Sequence, residues 1–269
     1  MIPVSVIIPC YRCSASVGQA FRSVTAQTAL PAEVILIDDA SGDDTVATLE
    51  MLRELAGTDW VRIVNLKQHN GPGAARNAGW ELASQPYLAF LDADDTWHSR
   101  KLEIQYGWMA RHPDVTLTGH PCVWLRAGRE TPAIADVPEV SLVDRRRILR
   151  SNPFQTPSVM VKRGVPFRFP ADMLAAEDYL LWCRLVLAGL PARRLETALA
   201  YLHKPAFGAG GLSGRLWAME AGELEVYRRL QRERLISAAL RMLLTAWSLV
   251  RYARRLLVSA WRRTLVQWQ

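Results

Sequence analysis

Carboxylates set directly after apolar runs are the residues of this sequence best suited to chemistry. Ile35-Leu36-Ile37 leads into Asp38-Asp39, and Leu88-Ala89-Phe90-Leu91 leads into Asp92-Ala93-Asp94-Asp95. A hard divalent cation such as Mn²⁺ or Mg²⁺ needs one or two carboxylates together with phosphate oxygens and water, and acids at the end of a rigid strand can supply them. A further pair, Glu177-Asp178, opens a stretch of helical period, Tyr179-Leu180-Leu181-Trp182. A carboxylate positioned there can take the proton of an attacking hydroxyl. Plainer readings stand beside both. The Asp92 to Asp95 acids also suit the cap of a helix beginning near Trp97, and Glu177-Asp178 suit a helix N-terminus whose dipole they offset. Two acidic clusters, each ending an apolar run, carry more weight than either alone.

The elements that must position these acids are legible in the first half of the chain. Strand-length apolar runs at Val4 to Ile8, Glu33 to Asp38, Val61 to Asn65 and Tyr87 to Leu91 alternate with stretches of helical period. That alternation predicts an α/β fold with a mainly parallel sheet covered by helices on both faces. Ligands of such sheets bind beyond the carboxyl ends of the strands, so both acidic clusters should face one crevice. After about residue 113 the rhythm weakens, and eight prolines between Pro113 and Pro170 break the chain into short strands and loops. Cys10 and Cys13 form a CxxC, which fits either a redox pair or two reduced packing thiols. Cys122 and Cys183 read as small apolar residues.

Charge divides the chain unevenly. Residues 228–263 hold ten Arg against one acid, Glu233, so of the formal +7 a local +9 lies in the tail and the preceding 227 residues sum to −2. From about Trp217 the pattern is helical to the end. At about 100° per residue, Ile236, Leu240, Leu243, Trp247, Val250, Leu257, Trp261 and Leu265 share one side, with Arg234, Arg241, Arg251, Arg255, Arg262 and Arg263 largely opposite. The longest uncharged run there, Met242 to Val250, is nine residues, well short of the ~20 a spanning helix needs. An amphipathic helix lying on an anionic bilayer is predicted, with packing on the body or on a partner as the alternative. Met1 to Val6 has no charged start followed by an apolar run, so a cytoplasmic protein peripheral to the inner face of the cell membrane is expected. Confinement of the basic charge to this tail argues against a nucleic-acid partner.

Four segments in order carry a family resemblance: Val4-Ser5-Val6-Ile7-Ile8-Pro9-Cys10-Tyr11, Glu33 through Thr45, Asn70-Gly71-Pro72-Gly73-Ala74-Ala75-Arg76-Asn77, and Asp92-Ala93-Asp94. Together they resemble the family 2 glycosyltransferases of bacterial surface-polysaccharide type, over roughly the first 105 residues. The resemblance implies a GT-A fold and an inverting transfer of a sugar from a nucleotide-diphosphate donor, most commonly a UDP-sugar. It implies that Pro9, Tyr11, Asp38 and Asp39 surround the base and ribose. Arg76 joins the nucleotide-sugar residues, and Asp92, Ala93 and Asp94 face the ribose, diphosphate and a divalent metal, with Asp94 as its ligand. Arg12 departs from the Asn usual after the tyrosine. Glu177-Asp178 resembles the motif that supplies the base, placing that role on Asp178 with Glu177 beside it. His203 and Lys204, before the glycine-rich 207–214, are candidates for the diphosphate, and Gln155, Thr156 and Ser158 for the acceptor. His203 equally suits a strand end, and the acceptor-side residues equally suit the turn around Pro153 and Pro157.

The expected organisation is a catalytic domain over 1–216, with a nucleotide-sugar half at 1–112 and an acceptor half at 113–216, followed by a basic helical tail at 217–269. The acceptor class expected from the tail is a saccharide or lipid-linked saccharide of surface polysaccharide or lipopolysaccharide assembly. A nucleotidyltransferase should carry a Gly-rich basic loop straight after its first strand, yet Pro9 to Ser14 has no glycine. A non-catalytic membrane-recruitment module would account for the tail and leave three acidic clusters without a purpose.

Overall fold

The computed structural model describes residues 1–125, 134, 138–203 and 216–266, the last ten by backbone alone. In chain order the elements are β1 (Ile2–Cys10), α1 (Val17–Thr25), β2 (Pro31–Asp38), α2 (Thr45–Ala56), β3 (Val61–Asn65), α3 (Pro72–Leu82), β4 (Tyr87–Phe90) and β5 (Asp95–Trp97). They continue with α4 (Lys101–Arg111), β6 (Leu117–Gly119), β7 (Cys122–Trp124), β8 (Val140–Leu142), α5 (Arg145–Arg150) and β9 (Met160–Lys162). The last are α6 (Glu177–Leu187), β10 (Ala192–Leu195), β11 (Ala200–Leu202), α7 (Leu216–Arg232) and α8 (Ala238–Val266).

The main sheet runs β3-β2-β1-β4-β9-β6-β10-β8, and a three-stranded sheet runs β5-β11-β7. The first four strands of the large sheet are parallel. β9 runs against both β4 and β6, and β8 against β10, so the rest of the sheet is mixed. Val4, Val6, Ile7 and Ile8 of β1 are buried on both faces, as a central strand under helices requires. Leu91 N–H donates to the carbonyl of Ile7, 3.1 Å. Two residues on, Pro9 points to the same side and has no N–H to offer. The β4 ladder therefore ends at that point, and the chain leaves the sheet with Asp92.

Two sequence expectations are corrected. No helix begins near Trp97: Asp95–Trp97 is a strand of the small sheet, and α4 starts only at Lys101. Leu202 of β11 pairs with Asp95, so β pairing overrides the capping chemistry of the acids. The C-terminal helical pattern is also broken, between Arg232 and Ala238, where Arg234 has φ 60°. The chain folds back there, and α8 packs on α7.

This hairpin is continuous with the body. Val226, Tyr227, Leu230, Ile236 and Leu244 belong to the same core as Trp182 and Phe90, and burial of each large apolar side chain stabilises by about 1.5–3 kcal/mol. The arginine side of α8 faces α7. Arg255 pairs with the fully buried Glu220 at 2.6 Å, Arg251 pairs with Glu223, and Ser248 donates to Glu220 at 2.7 Å. The apolar side is left outward, with Leu243 68%, Val250 63% and Trp247 50% exposed. Among the described residues no helix is long and apolar enough to cross a membrane.

Candidate active site

β2 and β4 flank β1 in the same direction, so Asp38-Asp39 and Asp92-Ala93-Asp94 emerge at one edge, on either side of Tyr11. The acids ending β2 are buried and hold loops. Asp38 accepts from the Ser41 hydroxyl and from Ser41 N–H at 3.2 Å, and the Ser41 oxygen in turn accepts from Arg12 N–H at 3.0 Å. Asp39 accepts from the backbone N–H of Asn70 at 3.0 Å and of Gly71 at 2.8 Å, and pairs with His69 Nδ1 at 2.8 Å. Tyr11 is 40% exposed and stacks on His69, ring centroids 3.8 Å apart. Arg12, the departure from the family pattern, has φ 47°; it hydrogen-bonds the Ser41 carbonyl through Nε and lies over the Tyr11 ring. Its neighbour across the edge, Ala40, has φ 55°. Both are left-handed positions that cost a non-glycine residue about 1–2 kcal/mol, and both stand against the cleft.

Arg76 ties this wall to the opposite one. It lies on α3, is 4% exposed, and donates through Nη2 to Asp92 Oδ1 at 2.6 Å and through Nη1 to Glu177 Oε1 at 2.9 Å. Burial works against its charge, but Asp92 and Glu177 more than offset this and hold its pKa above the usual range. The α3 and α6 N-termini can come this close because residue 73 is glycine. A Cβ there would lie 3.1 Å from Glu177 Cγ and 3.3 Å from the Pro170 carbonyl. Asn77 clamps the same junction, giving and receiving a hydrogen bond with the Phe169 backbone.

Asp178 stands in the first turn of α6, next to the ion pair. Its Oδ1 accepts from Tyr179 N–H at 2.6 Å, and its Oδ2 from Asn152 Nδ2 at 3.1 Å and Thr156 Oγ1 at 3.2 Å. The carboxylate sits in dense surroundings yet keeps partial access to solvent. Burial, and then the charge of Glu177, push its pKa up to about 6, with Arg76 pulling the other way. That is the range of a carboxylate able to exchange a proton near neutrality. The turn before it is forced: Ala176 has φ 59°, and α7 presses on it so closely that a Cβ on Gly222 would lie 2.8 Å from the Ala175 carbonyl.

The remaining predicted residues fall as follows. Pro9 is partly buried at the end of β1, and Asp94 is partly exposed at the mouth of the cleft. β11 carries His203 to the DxD segment, where its Nε2 lies 2.8 Å from Thr96 Oγ1. Burial lowers the pKa of His203 and the Asp94 charge opposes it, so the imidazole and that carboxylate are neighbours. Lys204 and the glycine-rich 207–214 lie outside the described residues. Gln155 is exposed; Thr156 and Ser158 form a 3-10 turn with Pro157, and Ser158 is fully buried with its hydroxyl on the Gln155 carbonyl at 2.7 Å. Cys10 and Cys13 are both buried free thiols.

Among the described residues no three carboxylates, imidazoles or thiols gather into a metal cage. Asp94, half-open to the cleft with His203 beside it, fits the other arrangement, in which a hard cation takes one or two protein ligands and completes its shell with phosphate oxygens and water. Asn152 and the Thr156–Asp178 bond were not read from the sequence. Neither was the bridging role of Arg76, although the clustering of Arg76 with three acidic motifs is a signal that a buried cation is needed among them.

A mainly parallel sheet between helices, with acids at the ends of two strands that flank β1, is the architecture of the GT-A glycosyltransferases. The family model for glycosyl transferase family 2 matches residues 5–159, and the chain belongs to that family. It is 26% identical over 253 residues, 93% of this chain and 94% of the relative, to the putative teichuronic acid biosynthesis glycosyltransferase TuaG of Bacillus subtilis. It is 32% identical to the succinoglycan biosynthesis protein ExoW of Rhizobium meliloti over 70% of this chain and 65% of that one. Among solved structures it is similar to S. aureus TarS 1-349 in complex with UDP-GlcNAc, with TM-score 0.71 and 21% identity over 92% of this chain and 72% of that one. It is also similar to the mannosyltransferase PcManGT of Pyrobaculum calidifontis in complex with GDP-Man and Mn²⁺, with TM-score 0.67 and 20% identity over 96% and 75%. The protein is a family 2 glycosyltransferase, and the relatives named TuaG and ExoW are described as proteins of teichuronic acid and succinoglycan biosynthesis.

Proposed function

We propose that this transferase inverts the anomeric carbon of a nucleotide-diphosphate sugar, a UDP-sugar before others, and passes it to a saccharide or lipid-linked acceptor in surface-polysaccharide assembly. The observation that carries this reading is the pair of hydrogen bonds from Arg76 to Asp92 and Glu177, which puts Asp178 in the same cleft as the DxD segment. Pro9, Tyr11, Asp38 and Asp39 form the base and ribose side. Asp92, Ala93 and Asp94 form the diphosphate side, with His203 near Asp94 and Lys204 as the next candidate. A divalent cation, Mn²⁺ or Mg²⁺, held by Asp94 would neutralise charge on the departing diphosphate.

Asp178 takes the proton of the acceptor hydroxyl as that oxygen bonds to the anomeric carbon and the carbon–diphosphate bond breaks on the opposite face. One displacement with no covalent enzyme intermediate inverts the configuration. Thr156 and Asn152 orient the carboxylate by donating to one oxygen, and Gln155 is the exposed acceptor-side group at the same turn. Support for a UDP-sugar and a lipid-linked acceptor comes from relatives: TarS was solved with UDP-GlcNAc, and a 25% identical Escherichia coli relative is named UDP-Glc:alpha-D-GlcNAc-diphosphoundecaprenol beta-1,3-glucosyltransferase WfaP.

The outward apolar side of α8, with Met242, Leu243, Trp247 and Val250 exposed, supports peripheral docking on the inner face of the membrane through apolar insertion, since Arg251 and Arg255 are engaged by α7. Flotation with anionic vesicles tests this: Leu243→Glu with Trp247→Glu should abolish binding, and unchanged binding removes membrane docking. Calorimetric titration with nucleotide diphosphates and their sugars, with and without Mn²⁺, tests the donor site. Metal-dependent binding of one nucleotide is expected, and loss of that binding in Asp94→Ala.

A further inference from the structure

The ring best placed to stack a nucleobase is already covered. Tyr11 lies at the C-terminal edge of the sheet, and His69 sits against it with ring centroids 3.8 Å apart and planes 19° from parallel. This is the spacing of an aromatic stack, close enough that no second ring fits between them. The imidazole is also held from its edge by Asp39, Nδ1 to Oδ2 at 2.8 Å. The His69 side chain is 45% exposed against 2% for Asp39, so it can swing outward with little unpacking. Asp39 cannot follow, because the backbone N–H groups of Asn70 and Gly71 fix its two oxygens.

We propose that His69 is an internal stand-in for the nucleobase, a plug that occupies the Tyr11 stack until a donor displaces it, and so sets the affinity and selectivity of donor binding. This rests on the donor-site reading above. The exchange is aromatic for aromatic on the Tyr11 face. On Asp39 Oδ2 the leaving imidazole frees a lone pair, while the Gly71 N–H stays bound. A base that both stacks and offers a ring N–H recovers both interactions, whereas one that only stacks recovers the first. Arg12, whose guanidinium carbon lies 5.3 Å from the Tyr11 centroid, also lies over the ring and stays in place by its bond to the Ser41 carbonyl.

The test is calorimetric titration of UDP and of CDP, whose base stacks without a ring N–H, in Mn²⁺, into the wild-type protein, His69→Ala and His69→Phe. Removing the plug should tighten UDP binding about three- to tenfold, the worth of one stacked aromatic pair. His69→Phe, which keeps the stack and loses the Asp39 contact, should fall between wild type and His69→Ala. In the NMR spectrum, contacts between the Tyr11 and His69 rings should vanish as UDP saturates the wild-type protein. Weaker or unchanged UDP binding by His69→Ala overturns the plug, since His69 would then line the bound base or lie beyond it. Persistence of the ring contacts at saturation overturns it as well. If neither the wild-type protein nor His69→Ala binds any nucleoside diphosphate, the donor-site reading fails and takes the plug with it; equal binding by both removes the plug alone.

Discussion

The two walls of the cleft treat their carboxylates in opposite ways. On the β2 side, Asp39 receives two backbone N–H groups and an imidazole, and Asp38 is tied to Ser41. On the α6 side, Asp178 receives one backbone N–H and two neutral side chains, and it stands next to another carboxylate, Glu177. The first wall is built to hold a shape. The second leaves a group whose pKa is pushed up to about 6 by burial and by Glu177, so it can change protonation at modest cost. Arg76 bonds Asp92 at the end of β4 and Glu177 at the start of α6, so it ties the edge of the sheet to the α6 wall.

The largest expected effect is therefore from Arg76→Met. Removing a 4% exposed cation leaves Asp92 and Glu177 facing each other unpaired, which should cost about 3–5 kcal/mol in chemical denaturation. A loss under about 1 kcal/mol would show that the walls are coupled by something else. Next is Gly73→Ala, where the added methyl meets Glu177 Cγ and the Pro170 carbonyl. About 1–3 kcal/mol of destabilisation is expected from such overpacking, with kcat falling more than donor affinity because Asp178 moves with Glu177. A wild-type-like kcat would separate the α3–α6 approach from the position of the base.

Asp178→Asn sharpens the comparison from the stability side. The native pKa of about 6 lies above the ordinary aspartate value of 3.8, so the folded state binds the extra proton between these values and the ionised form is penalised above them. The penalty grows as pH rises through that window and is complete above about pH 6. Asn removes it, so the variant should be more stable than wild type at pH 7, by up to about 3 kcal/mol, and indistinguishable near pH 4. A smaller effect is expected from Glu177→Gln. Loss of the like charge should move the acid limb of the transfer rate below its wild-type position near pH 6, read from the pH profile of kcat. An upward move would mean that Glu177 acts on Asp178 chiefly through Arg76.

Much of this was legible in the sequence because it depends on local pattern. The four parallel strands follow from strand-length apolar runs alternating with helical stretches, two of them leading into acids, and the helix at Glu177–Leu187 from its apolar period. What was not legible depends on pairing between distant segments. Asp95–Trp97 reads as a cap and becomes a strand because β11, a hundred residues on, supplies its partner. The tail reads as one amphipathic helix because the wheel cannot show that Glu220 and Glu223 of α7 will take the arginines of α8. Ala176 gives no signal at all: alanine favours right-handed helix, yet it stands at φ 59° beside the close approach of Gly222 of α7 to Ala175. Likewise Asn152 and Thr156 reach Asp178 only once α5 has packed on α6.

The division of labour between the walls is tested most directly by measuring donor binding and single-turnover transfer together for Asp94→Ala and Asp178→Asn. Asp178→Asn is expected to bind a metal–nucleotide sugar as wild type does and to lose transfer by about 10²–10⁴-fold, while Asp94→Ala loses metal-dependent binding itself. An Asp178→Asn protein that turns over at near wild-type rate, or one that fails to bind donor while Asp94→Ala binds it normally, would contradict the assignment of the base to the α6 wall.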